Sequence, residues 1–144
     1  MHQKGLVEYE SYKPIKLTSK GKKEALKILR KHRLTEMFLV DVMGLGWEEV
    51  HDIAEQIEHL ESPLFFDKMD ELLGHPAFDP HGSPIPDKSG KIPELKGQLL
   101  SDIPTGTTVT FIAVMKSSNE FLQYLNAKNI RLNDQLIILE KENF

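Results

Sequence analysis

The stretch Glu48-Glu49-Val50-His51-Asp52-Ile53-Ala54-Glu55-Gln56-Ile57-Glu58-His59 carries the residue types best able to do chemistry in this chain. Read as a helix, it places His51, Glu55, Glu58 and His59 at i, i+4, i+7 and i+8, which is a single face. Two imidazoles and two carboxylates on one face make half a shell for a divalent cation. His32 and Glu36 repeat the i, i+4 spacing on the preceding helical segment, and side chains so spaced can reach one ion. Two such faces packed together could hold one or two ions. The chain has no cysteine, so any site uses imidazole and carboxylate. That set suits Mn²⁺, Fe²⁺, Co²⁺, Ni²⁺ or Zn²⁺, and the hard oxygens shift the expectation toward Mn²⁺ or Fe²⁺. The competing reading is a solvated acidic face made of Glu48, Glu49, Asp52, Glu55 and Glu58. Two histidines in phase, with His32 and Glu36 on a neighbouring segment, favour ligands over that reading. His75 and His81 fall in a proline-rich loop and are expected to face solvent, and His2 sits at a terminus and takes no role.

The elements that must position these residues are legible along the chain. Residues 5–17 read as two short strands, Leu6, Val7 and Tyr9 in the first and Ile15 and Leu17 in the second, with Ser11–Pro14 turning between them. Thr18 or Ser19 caps a helix running to about Val42 and stopping at Gly44, with Ala25, Leu26, Leu29, Phe38, Leu39 and Val42 at helical spacing. A second helix is predicted from Trp47 to about Leu60. Ser62-Pro63 is a cap and first turn for a third, which holds Leu64, Phe65, Met69, Leu72 and Leu73 and stops at Gly74. Residues 75–93 hold five of the eight prolines and form a loop. Beyond Leu99 the pattern becomes β: a strand over Thr108–Met115, a helical turn over Asn119–Leu125 and a strand over Gln135–Leu139, with a turn at Ile103–Gly106. The fold class is mostly α with β, and residues 92–98 read as a linker.

Composition narrows the class. The chain is 144 residues long, 40% hydrophobic and 28% charged, enough for one soluble domain or one and a fragment of another. No apolar run approaches the ~20 residues that span a bilayer, and no signal-peptide core is present. Without cysteine there is no disulfide, which fits a cytoplasmic protein. A net charge of −4 argues against strong non-specific nucleic-acid binding by the whole chain. Yet Lys4, Lys13, Lys16, Lys20, Lys22, Lys23, Lys27, Arg30, Lys31 and Arg33 all precede residue 34, so one end could face phosphate.

Three segments, in this order and spacing, resemble the diphtheria toxin repressor family of metal-dependent transcriptional repressors. They are Leu29-Arg30-Lys31-His32-Arg33-Leu34-Thr35-Glu36-Met37-Phe38-Leu39, then Trp47 to His59, then Asp79-Pro80-His81-Gly82-Ser83-Pro84-Ile85-Pro86. The resemblance implies that Glu55, Glu58 and His59 match the primary metal site and that His32, Glu36 and His51 match the second, ancillary site. The iron-type branch has cysteine where this chain has Glu55, so the resemblance is to the manganese-type branch. It further implies a β-wing remnant of a winged helix over residues 1–18, a helical metal-binding and dimerisation domain over 19–91, and a partial SH3-like module over 99–144. That module is related to ferrous-transport accessory domains. Of Ser117 and Glu120, which fall near the module's ligand positions in longer members, Glu120 is the credible ligand.

Family members begin with a helix that supplies further ligands and a helix-turn-helix that enters the major groove. This chain is expected to start after both. Lys4, Tyr12, Lys13 and Lys16 on the wing could contact phosphate, contacts that position a protein without specifying sequence. For this chain alone the hairpin reads as a solvated remnant. The implied function is the metal-sensing and dimerisation core of a repressor acting on operator DNA, with no enzymatic activity. Leu60, Leu64, Phe65, Phe66, Met69, Leu72 and Leu73 exceed the needs of one short helix and are expected to bury against a twin subunit. Two rivals stand beside it. His51-Asp52 with His32 faintly resembles the metal-dependent histidine-aspartate phosphohydrolases, although adjacent helical residues point about 100° apart. The other is a metal-binding interaction protein with no DNA role.

Overall fold

The computed structural model describes residues 5–115 and 118–142; Lys4 and Ser117 lie outside the described residues. Two strands, β1 (Val7–Glu8) and β2 (Lys16–Leu17), pair antiparallel with Val7 opposite Leu17. They lead into α1 (Ser19–Asp41), whose start is set by Thr18: its hydroxyl accepts the Gly21 N–H at 2.9 Å, satisfying one of the free donors of the first turn. The same hydroxyl donates to the Gly5 carbonyl at 2.8 Å, tying hairpin to helix. At Gly21 the backbone of the hairpin comes so close that a Cβ would collide with the Leu6 carbonyl.

Helix α1 turns one face inward. Leu34, Thr35, Glu36 and Leu39 are buried, whereas Ala25 and Val42, expected on the apolar face, are exposed. Leu34 packs with Phe66, Met69 and Ile85, flanked by Phe38, Ile57 and Leu73, to form the first core. The third helix, α3 (Pro63–Leu72), supplies Phe66 and Met69, and begins as its sequence indicates, with Ser62 capping the Phe65 N–H and proline in the first turn. Part of the apolar surplus expected at a twin subunit therefore belongs to the chain's own core.

The second helix is shorter than its pattern suggests. Helix α2 spans His51–Ile57, because Gly46 and Glu49 close a turn ahead of it: the Gly46 N–H donates to Glu49 Oε2 and the Glu49 N–H to the Gly46 carbonyl. Trp47 is thus a loop residue. It packs against the second core, in which Val114, Leu122 and Leu125 are buried. Leu122 and Leu125 come from α4 (Asn119–Ala127), a full helix where a single turn was expected, capped by Ser118.

Strands β3 (Thr108–Thr110) and β4 (Gln135–Ile137) pair antiparallel with Val109 opposite Leu136. The predicted strand to Met115 ends early because its backbone changes partner. Phe111 still bonds residues 133 and 134, but the Val114 N–H donates to the His81 carbonyl in the proline loop. The whole is mostly helical with two small antiparallel sheets. Among the described residues no helix is long and apolar enough to cross a membrane.

Candidate metal centre

Glu36 stands at the middle of the site. It is 3% exposed, one turn after His32 on the buried side of α1. His32 Nε2 lies 3.1 Å from Glu36 Oε1, and His32 Nδ1 lies 2.6 Å from Glu58 Oε2 just past the end of α2. From the first turn of α2, His51 brings Nδ1 to 3.4 Å from the same Glu36 Oε1, and its ring meets that of His32 edge-on at 4.9 Å. These three residues offer ligand atoms within 4.8 Å of one another. His51 remains 57% exposed at its side chain, so the cluster opens to solvent on that side.

Glu36 has a second neighbourhood. His81, expected to face solvent, is instead 4% exposed, with Nδ1 3.7 Å from Glu36 Oε2 and Nε2 2.8 Å from the Trp47 carbonyl. Asp79 joins Glu36 and His81 in a second, fully buried group of potential ligands. Its Oδ1 accepts the backbone N–H groups of His81 and Ser83, each at 2.9 Å, while Arg33 Nε lies 3.5 Å from Oδ2. The loop's composition explains this. Aspartate followed by proline and glycine closes a turn on its own carboxylate, and the turn carries His81 inward, where it stacks on Trp47. The signal was present in Asp79-Pro80-His81-Gly82, but a loop histidine has no periodicity to betray which way it points.

The electrostatics follow from this packing. Burial alone would raise the Glu36 carboxyl, yet His32 and His81 override it and hold it down at about 2. His32 is raised, chiefly by its hydrogen bond to Glu36 and then by Glu58, against burial. Burial would lower His81, but the facing Glu36 carboxylate, the Trp47 carbonyl and Asp79 together raise it. Asp79 itself is raised by burial, with the Ser83 N–H opposing. A carboxylate ionised at every ordinary pH, ringed by imidazoles, fits a divalent cation of the Mn²⁺, Fe²⁺ or Zn²⁺ kind.

The remaining expected ligands are placed otherwise. Glu58 gives its Oε2 to His32, while Glu55 and His59 are exposed. His59 lies beyond the end of α2 with Nε2 3.6 Å from Glu58 Oε1. Glu120 is exposed on the first turn of α4 and belongs to neither group of potential ligands among the described residues. His75 is largely exposed, with Nδ1 2.9 Å from Asp70. On the hairpin, Tyr12 is fully exposed at positive φ, Lys13 pairs with Glu10 at 2.8 Å, and Lys16 is exposed in β2. Asp52, the second half of the phosphohydrolase dipeptide, is exposed too.

Comparisons with known proteins give the chain its relatives. A family profile described as "Iron dependent repressor, metal binding and dimerisation domain" matches residues 18–87. The iron-dependent repressor IdeR of Mycobacterium leprae is 34% identical over 119 residues, covering 78% of this chain and 52% of that protein. A manganese-dependent transcriptional repressor solved with manganese superposes with a TM-score of 0.88 at 35% identity, covering 98% of this chain and 64% of that one. A further structure of a manganese-dependent transcriptional repressor gives 0.83 at 37% identity, over 88% of this chain and 68% of that one. The chain spans about half the length of that mycobacterial relative. With that share of sequence and fold in common, the chain belongs to the diphtheria toxin repressor family, a family of metal-dependent transcriptional repressors and not of enzymes.

Proposed function

We propose that this chain is the metal-sensing and dimerisation core of a manganese- or iron-dependent repressor of metal homeostasis, acting in the cytoplasm. The observation that carries this reading is Glu36, a buried carboxylate faced by His32, His51 and His81 within 3.7 Å. His32, Glu36 and His51 hold one ion. Glu55, Glu58 and His59 hold a second once Glu58 is released from His32, and Glu120 supplements the set. Carboxylate at Glu55 in place of cysteine supports the manganese-type branch. Zn²⁺, Co²⁺ or Ni²⁺ would also bind such donors in vitro.

The division of the chain follows from the same reading: residues 1–18 belong to the wing of a winged helix, 19–91 to the metal-binding and dimerisation domain, and 99–144 to an SH3-like module. Leu60, Leu64, Phe65 and Leu72 are exposed on and beside α3 and bury against a second copy in a homodimer. Operator DNA is met through the wing's Lys4, Tyr12, Lys13 and Lys16 as weak phosphate contacts, beside whatever reads the bases. A bound cation supplies the positive charge that draws imidazole and carboxylate together. The chain's part is to couple that event to α1, since an ion that binds one arrangement of α1 and α2 more tightly shifts the population toward it.

Anaerobic calorimetry with Mn²⁺, Fe²⁺ and Zn²⁺ tests this on the chain, on Glu36→Gln and on Glu58→Ala/His59→Ala. Saturable binding weakened in both variants is expected. An isotherm for the unaltered chain no different from that of Glu36→Gln would overturn the metal-sensing reading.

A further inference from the structure

Trp47 Nε1 donates to Asn126 Oδ1 at 2.8 Å, across 79 positions of sequence. The donor belongs to the loop between α1 and α2, and the acceptor to the last turn of α4. An indole N–H can only donate, so the bond sets the amide of Asn126 with its oxygen toward the ring. We propose that Asn126 is a positioning residue for the metal site: acting through Trp47, it holds the loop that leads into His51, so that α4 sets metal affinity without supplying a ligand. This rests on the reading of His32, Glu36 and His51 as a metal site.

His51 is the loosest member of that cluster. Its Nδ1 stands 3.4 Å from Glu36 Oε1, against 3.1 Å for His32 Nε2, and its side chain is 57% exposed against 13%. As the first residue of α2, it points where the start of that helix sends it. The helix itself does little to fix this. It has seven residues and no side-chain cap at Val50, and a helix so short is marginal unless its surroundings hold it.

The start of α2 is instead held from the turn before it, which contains Trp47. Burial of Val50 and the packing of Trp47 on the second core fix how deep this turn sits, but apolar contact has no direction. The hydrogen bond from Nε1 has one, and it fixes the rotation of the indole. The backbone of the same residue accepts from His81 Nε2 at 2.8 Å, and His81 faces Glu36 Oε2. A shift of Trp47 therefore reaches Glu36 from two sides, through His51 and through His81.

Anaerobic calorimetry of the whole chain with Mn²⁺ tests this. Asn126 is exposed, and Asn126→Ala deletes the acceptor while keeping α4 a good helix former. Partners that orient metal ligands from outside are typically worth about tenfold or more, so Mn²⁺ affinity should fall roughly tenfold. Asn126→Asp keeps an oxygen in place to accept the same N–H and should bind as the unaltered chain does. Trp47→Phe keeps an aromatic ring on His81 and removes the N–H, and adding Asn126→Ala to it should weaken binding no further. An unchanged affinity in Asn126→Ala, whatever its melting temperature, would overturn the positioning role. So would a loss that Asn126→Asp does not restore, because the helix rather than the bond would then be responsible. In both cases the unaltered chain still takes up Mn²⁺ and the metal site stands. No saturable uptake by the unaltered chain would overturn the metal site and the positioning role together.

Discussion

Trp47 and His81 lie nearly parallel, ring centroids 6.1 Å apart and planes 14° from parallel, while the Trp47 carbonyl accepts the His81 Nε2 proton at 2.8 Å. One residue of the α1–α2 loop therefore touches the His81–Glu36 cluster through its backbone and the C-terminal core through its ring. Trp47 Nε1 also donates to Asn126 Oδ1 on α4 at 2.8 Å.

As Trp47 is the single tryptophan, its emission reports on His81. An imidazolium quenches indole more strongly than neutral imidazole. Because His81 titrates above its ordinary 6.5, emission of the metal-free chain should fall on acidification with a midpoint above 6.5. His81→Phe should flatten the curve. A midpoint at or below 6.5, or one that survives the substitution, would contradict the pairing.

The same groups set the pH dependence of stability without metal. Glu36 is depressed from 4.5 to about 2, so its contribution is present above 4.5 and drains away as pH falls toward 2; it is on the order of 3 kcal/mol. His32 and His81 are raised, so their contribution is complete below 6.5 and lost as pH rises through their folded values. Thermal unfolding in chelator should therefore show greatest stability between 4.5 and 6.5. Asp79, raised by burial, moderates the gain above its ordinary 3.8. Saturating Mn²⁺ should move the optimum upward, since ligands bind metal deprotonated. A metal-free Tm that climbs steadily from pH 6.5 to 8 is the outcome that fails this account.

Arg30 and Asp70 form a further, largely buried charge pair, joining α1 to α3 at 2.8 Å, and Arg30 also donates to the Pro86 carbonyl at 2.7 Å. Arg30→Met strips a buried carboxylate of its principal partner and should cost about 3–5 kcal/mol. Arg30→Met with Asp70→Leu should recover much of that, because the stranded charge is gone. Urea titrations of both variants decide it, and equal losses would show that the pair matters through packing rather than charge.

Leu64 and Leu72 are 70% and 65% exposed on α3, beside the core residues Phe66 and Met69. If they meet a second copy, Leu64→Glu should convert a dimer to a monomer by light scattering with Tm little changed. A chain that is already monomeric before substitution ends the homodimer reading.

How far the sequence could be read depended on whether the deciding interaction was local. Ser62-Pro63 and Thr18 act on their own next turn, and both helix starts were legible. His32 and Glu36 share a helix, so their meeting follows from spacing. His51 reaches them because α2 packs on α1, as the motif order implied. The long face to His59 is cut short at its C-terminal end, because α2 stops at Ile57 and leaves His59 outside the helix. The burial of His81 escapes the sequence for a different reason. Its direction is settled by the Asp79 turn, the Trp47 carbonyl and Val114, contacts that reach across 34 positions to one side and 33 to the other, and no periodicity records them. The expected long strand from Thr108 failed at the same place, where Val114 leaves β4 for His81.

Helix α1 also has a mechanical meaning. Its N-terminal end is clasped to the hairpin by Thr18 and by the close approach of Gly21 to Leu6, and Glu36 lies about 22 Å further on at 1.5 Å per residue. A rod held at one end by the imidazoles around Glu36 and fastened at the other to the hairpin is a lever. A tilt of about 5° at the ligands would swing the hairpin by ~2 Å at this length, comparable to the width of one hydrogen bond. On the proposed reading, small adjustments around one carboxylate would become displacements large enough to make or miss a phosphate contact.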